Sequence, residues 1–515
     1  MTPVFLRDVR LVPVRSAAPG EPVSLRIAEG TIVAVGTGLS PEPGDRVVEA
    51  GGRWAIPGLW DQHVHFTQWA QTRTRLDVSS AEDPSEAVKI IRRHLPSVPD
   101  GDWLFAFGFR LADWTREPTV AELDAVTGDR PVVVTSGDAH TGWLNSAALT
   151  ALGAPLTDGP LTEAPWFALM ADVVQRNAAQ DGGQSVADAM AAAASRGVVG
   201  VVDFEWAEPL STWRERLSQG LDALWVRSAV YPEYLDDMIA VGLRTGSSVT
   251  PDGPVTVGPL KIISDGSLNT RTAYCHEPYG GGSDRGVQNH DRADLIELLT
   301  RARSAGFRAA VHAIGDAAAH EALAAFRATG VGGSIEHAQL LTRHDIEQLA
   351  ELGVRASVQP AHLLDDRDVT ERLWADRADR CFPWRGLLDA GVDLVFGSDA
   401  PVAPLDPWIA MAAAVHRSAD ERSPWNPAEA ITAAEALAAS VDGADTLAVG
   451  QRADLVLLDR DPLEARGDSA AVAAHLRSVQ VEATVRAGRF THASASLEPW
   501  ITSGASPTGE SCPRP

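Results

Sequence analysis

Three cysteines in 515 residues (Cys275, Cys381 and Cys512) are too few and too scattered for a disulfide framework or a thiolate metal site. Long apolar runs are missing as well. A membrane span takes ~18 consecutive apolar residues, and the Ala-rich stretch near Met190 is broken by Asp188 and Arg196. Positive charge is scarce. Lys and Arg number 44 against 69 Asp and Glu, so the formal net charge is −25, which repels nucleic acid and anionic membrane alike. Charged Arg7, Asp8 and Arg10 stand where a secretory leader would carry its apolar segment, so a cytoplasmic protein without a signal peptide is expected. Apart from a β/α alternation, no repeat of fixed period occurs. What remains is a soluble, well-cored chain, 45% hydrophobic and 22% charged, whose expected partner is a small molecule.

The length exceeds the ~250 residues of one (β/α)8 barrel, so a barrel with a second domain is expected. Both ends read as β. Val4 to Val12 and Val23 to Val35 alternate like strands, the second bent at Glu29-Gly30. Near the other end Ala453 to Leu458 is a strand, and Val479 to Val485 turns at Ala487-Gly488 into Arg489-Phe490-Thr491. Residues 1–56 and 446–492 are therefore expected to form one small β-sandwich around an inserted barrel of residues 57–445. From about Ala493 to residue 515 the Ser, Pro and Gly content predicts a disordered tail. Within the barrel segment eight apolar runs recur: Gly58–His65, Val198–Phe204, Leu224–Tyr231, Val257–Ser264, Phe307–Ile314, Gly333–Ala338, Val354–Pro360 and Asp393–Asp399. Helix-like stretches follow most of them, the pattern of an α/β TIM barrel. The first gap is too long for one crossover and holds a strand of its own, Pro131–Ser136. Residues from about 76 to 196 thus include an insertion on the barrel's upper face.

Such barrels carry their sites at the C-terminal ends of the strands. His63 and His65 end the first run, two residues apart and so on one face of a strand, able to meet one ion. Lys261 lies in the fourth run, His312 in the fifth, His337 in the sixth and Asp399 at the end of the eighth. Singly, a strand histidine is more often a hydrogen-bonded core group than a ligand, and Asp399 could merely cap a turn. Lys261 is different, because a buried ammonium must be paired, neutral or chemically modified. The joint placement on barrel strands is what points to zinc or a similar ion.

Pro57-Gly58-Leu59-Trp60-Asp61-Gln62-His63-Val64-His65 resembles the opening metal motif of the amidohydrolase superfamily. Further blocks resemble its YtcJ-like branch, which includes N-substituted formamide deformylases. They include Trp143-Leu144-Asn145-Ser146, Lys261 through Asp265-Gly266-Ser267, His312-Ala313-Ile314-Gly315-Asp316, Ile335-Glu336-His337-Ala338-Gln339 and Gly397-Ser398-Asp399-Ala400-Pro401. The resemblance runs in order along nearly the whole chain and implies a two-metal site. His63 and His65 with Asp399 would hold one ion and His312 with His337 the second, bridged by Lys261 in N6-carboxylated form. Zinc is the expected metal, with manganese or iron open. A homodimer is compatible with such a family. Ala438-Ala439-Ser440-Val441-Asp442-Gly443 departs from the family pattern, which leaves the contribution of the eighth loop open.

The chemistry so implied is hydrolysis of a C–N bond in a small N-acyl or N-formyl amine by metal-activated hydroxide, Asp399 serving as general base and then acid. His140 is a candidate for steadying the developing oxyanion, its other reading being a hydrogen bond within the insertion. Fifteen tryptophans suggest aromatic pocket walls. Trp69, Trp114, Trp143, Arg271, Tyr274 and His362 are the candidates by placement, although core packing suits most tryptophans. Two other readings stand beside this one. A mononuclear deaminase resembles the pattern but carries a Glu three residues after the strand-five His, where this chain has Gly315. A non-catalytic barrel scaffold would be free to lose the ligand set that this chain keeps.

Overall fold

Short β-branched runs alternating with Ala- and Leu-rich helices build a parallel barrel. The computed structural model describes residues 2–499 other than 182, 207, 252 and 421. Its barrel strands are β1 (Leu59–Val64), β2 (Val198–Asp203), β3 (Trp225–Val230), β4 (Val255–Ile263), β5 (Ala309–Ala313), β6 (Gly333–His337), β7 (Arg355–Val358) and β8 (Leu394–Phe396). They pair in sequence order, each parallel to the next. Each overlaps one of the eight apolar runs. Two hydrogen bonds bring β8 back to β1: the Asp399 N–H donates to the His63 carbonyl (2.7 Å) and the His65 N–H to the Ala400 carbonyl (2.9 Å). Gly397 permits this approach, since a Cβ there would lie 2.5 Å from the His63 nitrogen.

Val202, Phe204, Ala229 and Ala310 plug the lumen as a small buried cluster. Outside, the helix Asp316–Thr329 turns Ala318, Ala322 and Phe326, spaced by four, towards the barrel core. Among the described residues no helix is long and apolar enough to cross a membrane.

The two chain ends share one sheet, ordered Arg489–Ala493, Val481–Arg486, Leu455–Leu458, Trp54–Pro57, Val4–Leu11, Val23–Ala28 and Thr31–Gly36. Glu29-Gly30 and Ala487-Gly488 form its tight turns, all four residues at positive φ as primed two-residue hairpins require. Sequence reading misses Trp54–Pro57, the strand that joins the two ends by pairing with both Val4–Leu11 and Leu455–Leu458. The expected tail needs correction at its start. Leu497 is fully buried in the core of this sheet, so the chain stays packed beyond Ala493. Residues 500–515, Cys512 among them, lie outside the described residues.

The insertion is a folded unit with a five-stranded sheet, ordered Leu161–Thr162, Thr141–Leu144, Val132–Ser136, Leu104–Phe109 and Leu76–Asp77. Two apolar cores flank that sheet, one around Trp114 and Trp143, the other around Trp166 and Phe105. The loop through Asp138 and His140 reaches over the C-terminal end of the barrel, where it lines one cavity with His312 and His337.

Candidate metal centre

Asp399 is the hub of the site. Its Oδ1 lies 3.4 Å from Nε2 of both His63 and His65, and its Oδ2 lies 3.7 Å from Nε2 of His362. Two groups of ligand atoms result, His63, His65 and Asp399, and His337, His362 and Asp399, each with all atoms within 4.8 Å of one another. The His337 ring stands 4.9 Å from that of His63 and 4.5 Å from that of His312. Lys261 lines the same cavity, its ammonium 4.4 Å from the centre of the Phe204 ring.

Backbone strain aims two of these groups. His337 and Asp399 both sit at positive φ, 72° and 57°, at the ends of β6 and β8. Each such non-glycine residue costs about 1–3 kcal/mol and persists only where its surroundings enforce it. Strand alternation would send neighbouring Glu336 and His337 to opposite faces. The turn at His337 breaks that alternation, and both residues reach His63. Glu336 Oε2 accepts from His63 Nδ1 at 2.7 Å, while Ser334 Oγ donates to Glu336 Oε1.

The electrostatics match a cation site. Burial, then the charge of Lys261, drives His63 down to about 4. Burial likewise holds His312 and His337 well below the ordinary imidazole value. All three are neutral at pH 7, with a lone pair to offer. Burial opposes the charge of Asp399, but the imidazoles, His63 first, keep its carboxyl well below the usual range. Burial lowers Lys261 to about 8 against the pull of Glu336 and Asp399. His65 Nδ1, His337 Nδ1 and His362 Nε2 are buried without a hydrogen-bond partner. Buried polar atoms normally find partners. Unsatisfied imidazoles around one ionised carboxylate make a donor set that fits a divalent ion such as zinc.

His312 is placed differently from the expected pairing with His337. Its Nε2 faces the Gly266 carbonyl at 3.3 Å and Asp265 Oδ1 at 3.4 Å, held by the loop after β4, and His362 takes the place beside His337 and Asp399. His362, expected as a pocket residue, thus stands among the ligand candidates. His140 shows both of its readings at once. Its Nδ1 pairs with Glu163 Oε2 (3.1 Å) inside the insertion, and its ring lines both site cavities. Burial works against its charge, yet Glu163 outweighs burial and lifts His140 to about 9. Thr270 and Thr272 hydroxyls donate to Glu163 Oε1 at 2.6 and 2.7 Å and hold that carboxylate in place.

Of the expected pocket residues, Trp69, Trp114, Trp143, Arg271 and Tyr274 line neither site cavity. Trp69 is buried in the barrel core, packed on Phe66. Trp114 and Trp143 are buried in the insertion, where their indole N–H groups donate to Ala81 and Thr119 carbonyls. Arg271 is exposed, and Tyr274 packs partly buried on the barrel core. The aromatic wall is formed instead by Phe167 and Trp206, whose ring centres lie 4.6 Å apart, with Trp206 5.6 Å from His65. The neighbouring outer cavity, about 810 Å³ including its open mouth, is bordered by Asp138, Asn269, Gln339 and Asp366. Arg110 and Asp365 (3.1 Å) tie the insertion to the helix His362–Leu373, which follows β7, across that mouth. The departing stretch Ala438–Gly443 lines neither cavity; Asp442 pairs with Arg227 instead. Gly315 leaves no room for a larger residue, because a Cβ would lie 2.0 Å from the Tyr274 carbonyl oxygen. The glutamate of the deaminase pattern therefore cannot be accommodated here.

A parallel barrel with imidazoles and a carboxylate gathered at its C-terminal strand ends defines the class of metal-dependent hydrolases. The chain belongs to the amidohydrolase family, whose sequence profile matches residues 46–492. It is 28% identical over 500 residues to YtcJ of Bacillus subtilis (strain 168), an amidohydrolase by name, covering 88% of this chain and 91% of that one. It is 26% identical over 516 residues to the N-substituted formamide deformylase of Arthrobacter pascens, covering 89% and 93%. Its fold is similar to the crystal structure of an uncharacterized metal-dependent hydrolase from Pyrococcus horikoshii OT3. That likeness has a TM-score of 0.75 at 25% identity and covers 90% of this chain and 98% of that one.

Proposed function

We propose that the protein hydrolyses the C–N bond of a small amide, an N-acyl or N-formyl amine. The observation that carries this reading is Asp399, an ionised carboxylate whose two oxygens face two separate sets of histidines beside a buried lysine. In this reading two divalent ions, zinc by donor chemistry, would be held by His63, His65 and Asp399, and by His337 with His312 or His362. Lys261, carboxylated on Nζ, would add a further ligand; carboxylation would turn a buried cation into an anionic oxygen donor. When bound, such ions lower the pKa of water from 15.7 towards ~7 and polarise a carbonyl.

The chain's own groups supply the rest. Asp399 takes a proton from the attacking water and returns it to the nitrogen as the C–N bond breaks, leaving a carboxylate and an amine. His140, kept protonated by Glu163, donates to the carbonyl oxygen as negative charge grows on it. Phe167 and Trp206 receive an apolar substituent and exclude water. The similarity to an N-substituted formamide deformylase favours the formyl end of this substrate class.

The test is turnover of a panel of N-formyl and N-acyl amines by metal-loaded protein, with carboxylate, amine and ammonia measured separately. Equal yields of carboxylate and amine, abolished about 10²- to 10⁴-fold by Asp399→Asn, support the assignment. Release of ammonia alone, or no turnover across the panel, counts against it.

A further inference from the structure

The barrel has a second opening, at the end opposite the metal centre. A cavity of about 660 Å³, counted to its open mouth, starts among the first residues of β5, β6 and β7 and runs up the lumen to Glu336. Its wall carries three arginines, Arg227, Arg308 and Arg355. Val202 and Phe204 close its inner end, and the Phe204 ring on its far side meets His63 at 4.4 Å and Lys261. The two sites thus lie back to back across one apolar layer.

The charges around this cavity are unequal. Arg227 is paired with Asp442, which also accepts from the Gln62 amide at 3.0 Å. Arg355 is paired with Asp393 at 2.8 Å. Glu336 at the inner end is held by Ser334 and His63. For Arg308, no carboxylate among the described residues lies within ion-pair distance. Burial and then the neighbouring charge of Arg355 both disfavour its guanidinium. The residue is exposed, so an anion from solvent can reach it. A second unmet donor lies in the same wall: Ser357, 2% exposed, whose buried Oγ has no hydrogen-bond partner.

We propose that this cavity binds a phosphate dianion, free or as the head of a small phosphate ester, between Arg308, Arg355 and the Ser357 hydroxyl. Two guanidinium groups present planar N–H forks that match a tetrahedral oxyanion, Arg308 without a carboxylate among the described residues and Arg355 shared with Asp393. The cavity opens to solvent, so the body of an ester can extend out through its mouth. Gly332 leaves space for the Arg308 guanidinium, since a Cβ there would lie 3.0 Å from Nη1. The site stands apart from the proposed hydrolysis, so each can fail without the other.

The experiment is calorimetric titration of metal-loaded, full-length protein with inorganic phosphate and, separately, with glycerol 1-phosphate, at constant ionic strength. The wild type is expected to show one saturable site per chain. Arg308→Gln is expected to weaken it about tenfold or more, as loss of a charged hydrogen-bond donor does, with metal content unchanged. Arg308 is exposed, which makes the change mild for folding. Ser357→Ala removes only an unpartnered hydroxyl and is the second variant, expected to weaken the same site. Binding of phosphate itself assigns the free ion, and binding of the ester alone assigns the ester. No saturable binding of either, or binding of wild-type strength in both variants, overturns the proposal; the latter result would place the anion at the metals.

Discussion

His63 and Glu336 are joined by a 2.7 Å hydrogen bond between Nδ1 and Oε2, both side chains almost fully buried. The bond places the proton on Nδ1, leaves Nε2 free towards Asp399 and fixes the plane of the ring. A carboxylate behind a ligating imidazole also raises its basicity. Glu336→Gln keeps the shape and removes the charge. Metal affinity, measured by chelator competition, is expected to fall about 10- to 100-fold with the fold intact. Unchanged affinity would mean that His63 is not a ligand or needs no orientation.

Gly397 links stability to the site. A methyl group there would meet backbone atoms of His63, which cannot rotate away as a side chain could. Gly397→Ala is expected to destabilise the protein by about 3 kcal/mol in chemical denaturation and to lower metal retention as β8 is pushed from β1. Wild-type stability would show that the two strands are less tightly closed than described.

The pair His140–Glu163 makes a pH-dependent contribution. His140 is raised from 6.5 to about 9, so its share of stability is full below pH 6.5 and is lost as pH rises through about 9. Burial resists the charge on Glu163, yet His140 lowers it from 4.5 to about 2; that share is full above pH 4.5 and fades as pH falls through about 2. Denaturation midpoints of wild type and His140→Gln should therefore differ most between about pH 4.5 and 6.5, and the difference should shrink above pH 9. A constant difference from pH 5 to 10 would contradict the ion pair.

The aromatic wall makes a prediction about substrate. Trp206→Ala is expected to raise KM for aryl-bearing amides about tenfold, by removing a buried apolar contact, and to leave compact formamides little affected. A fall in kcat alone would place Trp206 away from the substrate.

Much of the barrel is legible in the sequence because each strand is a short apolar run between Ala- and Leu-rich helices, a pattern that needs no long-range information. His63, His65, Lys261, His312, His337 and Asp399 stand out for the same reason, as polar residues set in those runs. The structure gathers all six around one cavity. Glu336 could not be read this way, because alternation turns it away from His337 and only the positive φ of His337 undoes that rule. Trp114 and Trp143 fail in the opposite sense. Their position beside the insertion loop suggests a pocket, but two hydrogen-bonded indoles within a packed core are satisfied where they are. Phe167 and Trp206 reach the site from segments far apart in the chain, a juxtaposition that no local pattern encodes. The two-residue strands Leu76–Asp77 and Leu161–Thr162 are too short to carry a period at all.

The proposed two-ion site requires Lys261 as a ligand. Metal content per chain is the direct measurement, by elemental analysis of protein purified without chelator and with bicarbonate present, for wild type and Lys261→Ala. Close to two ions in the wild type, falling sharply in the variant, is the predicted result. One ion that Lys261→Ala leaves in place, or no ion even after reconstitution, would contradict it.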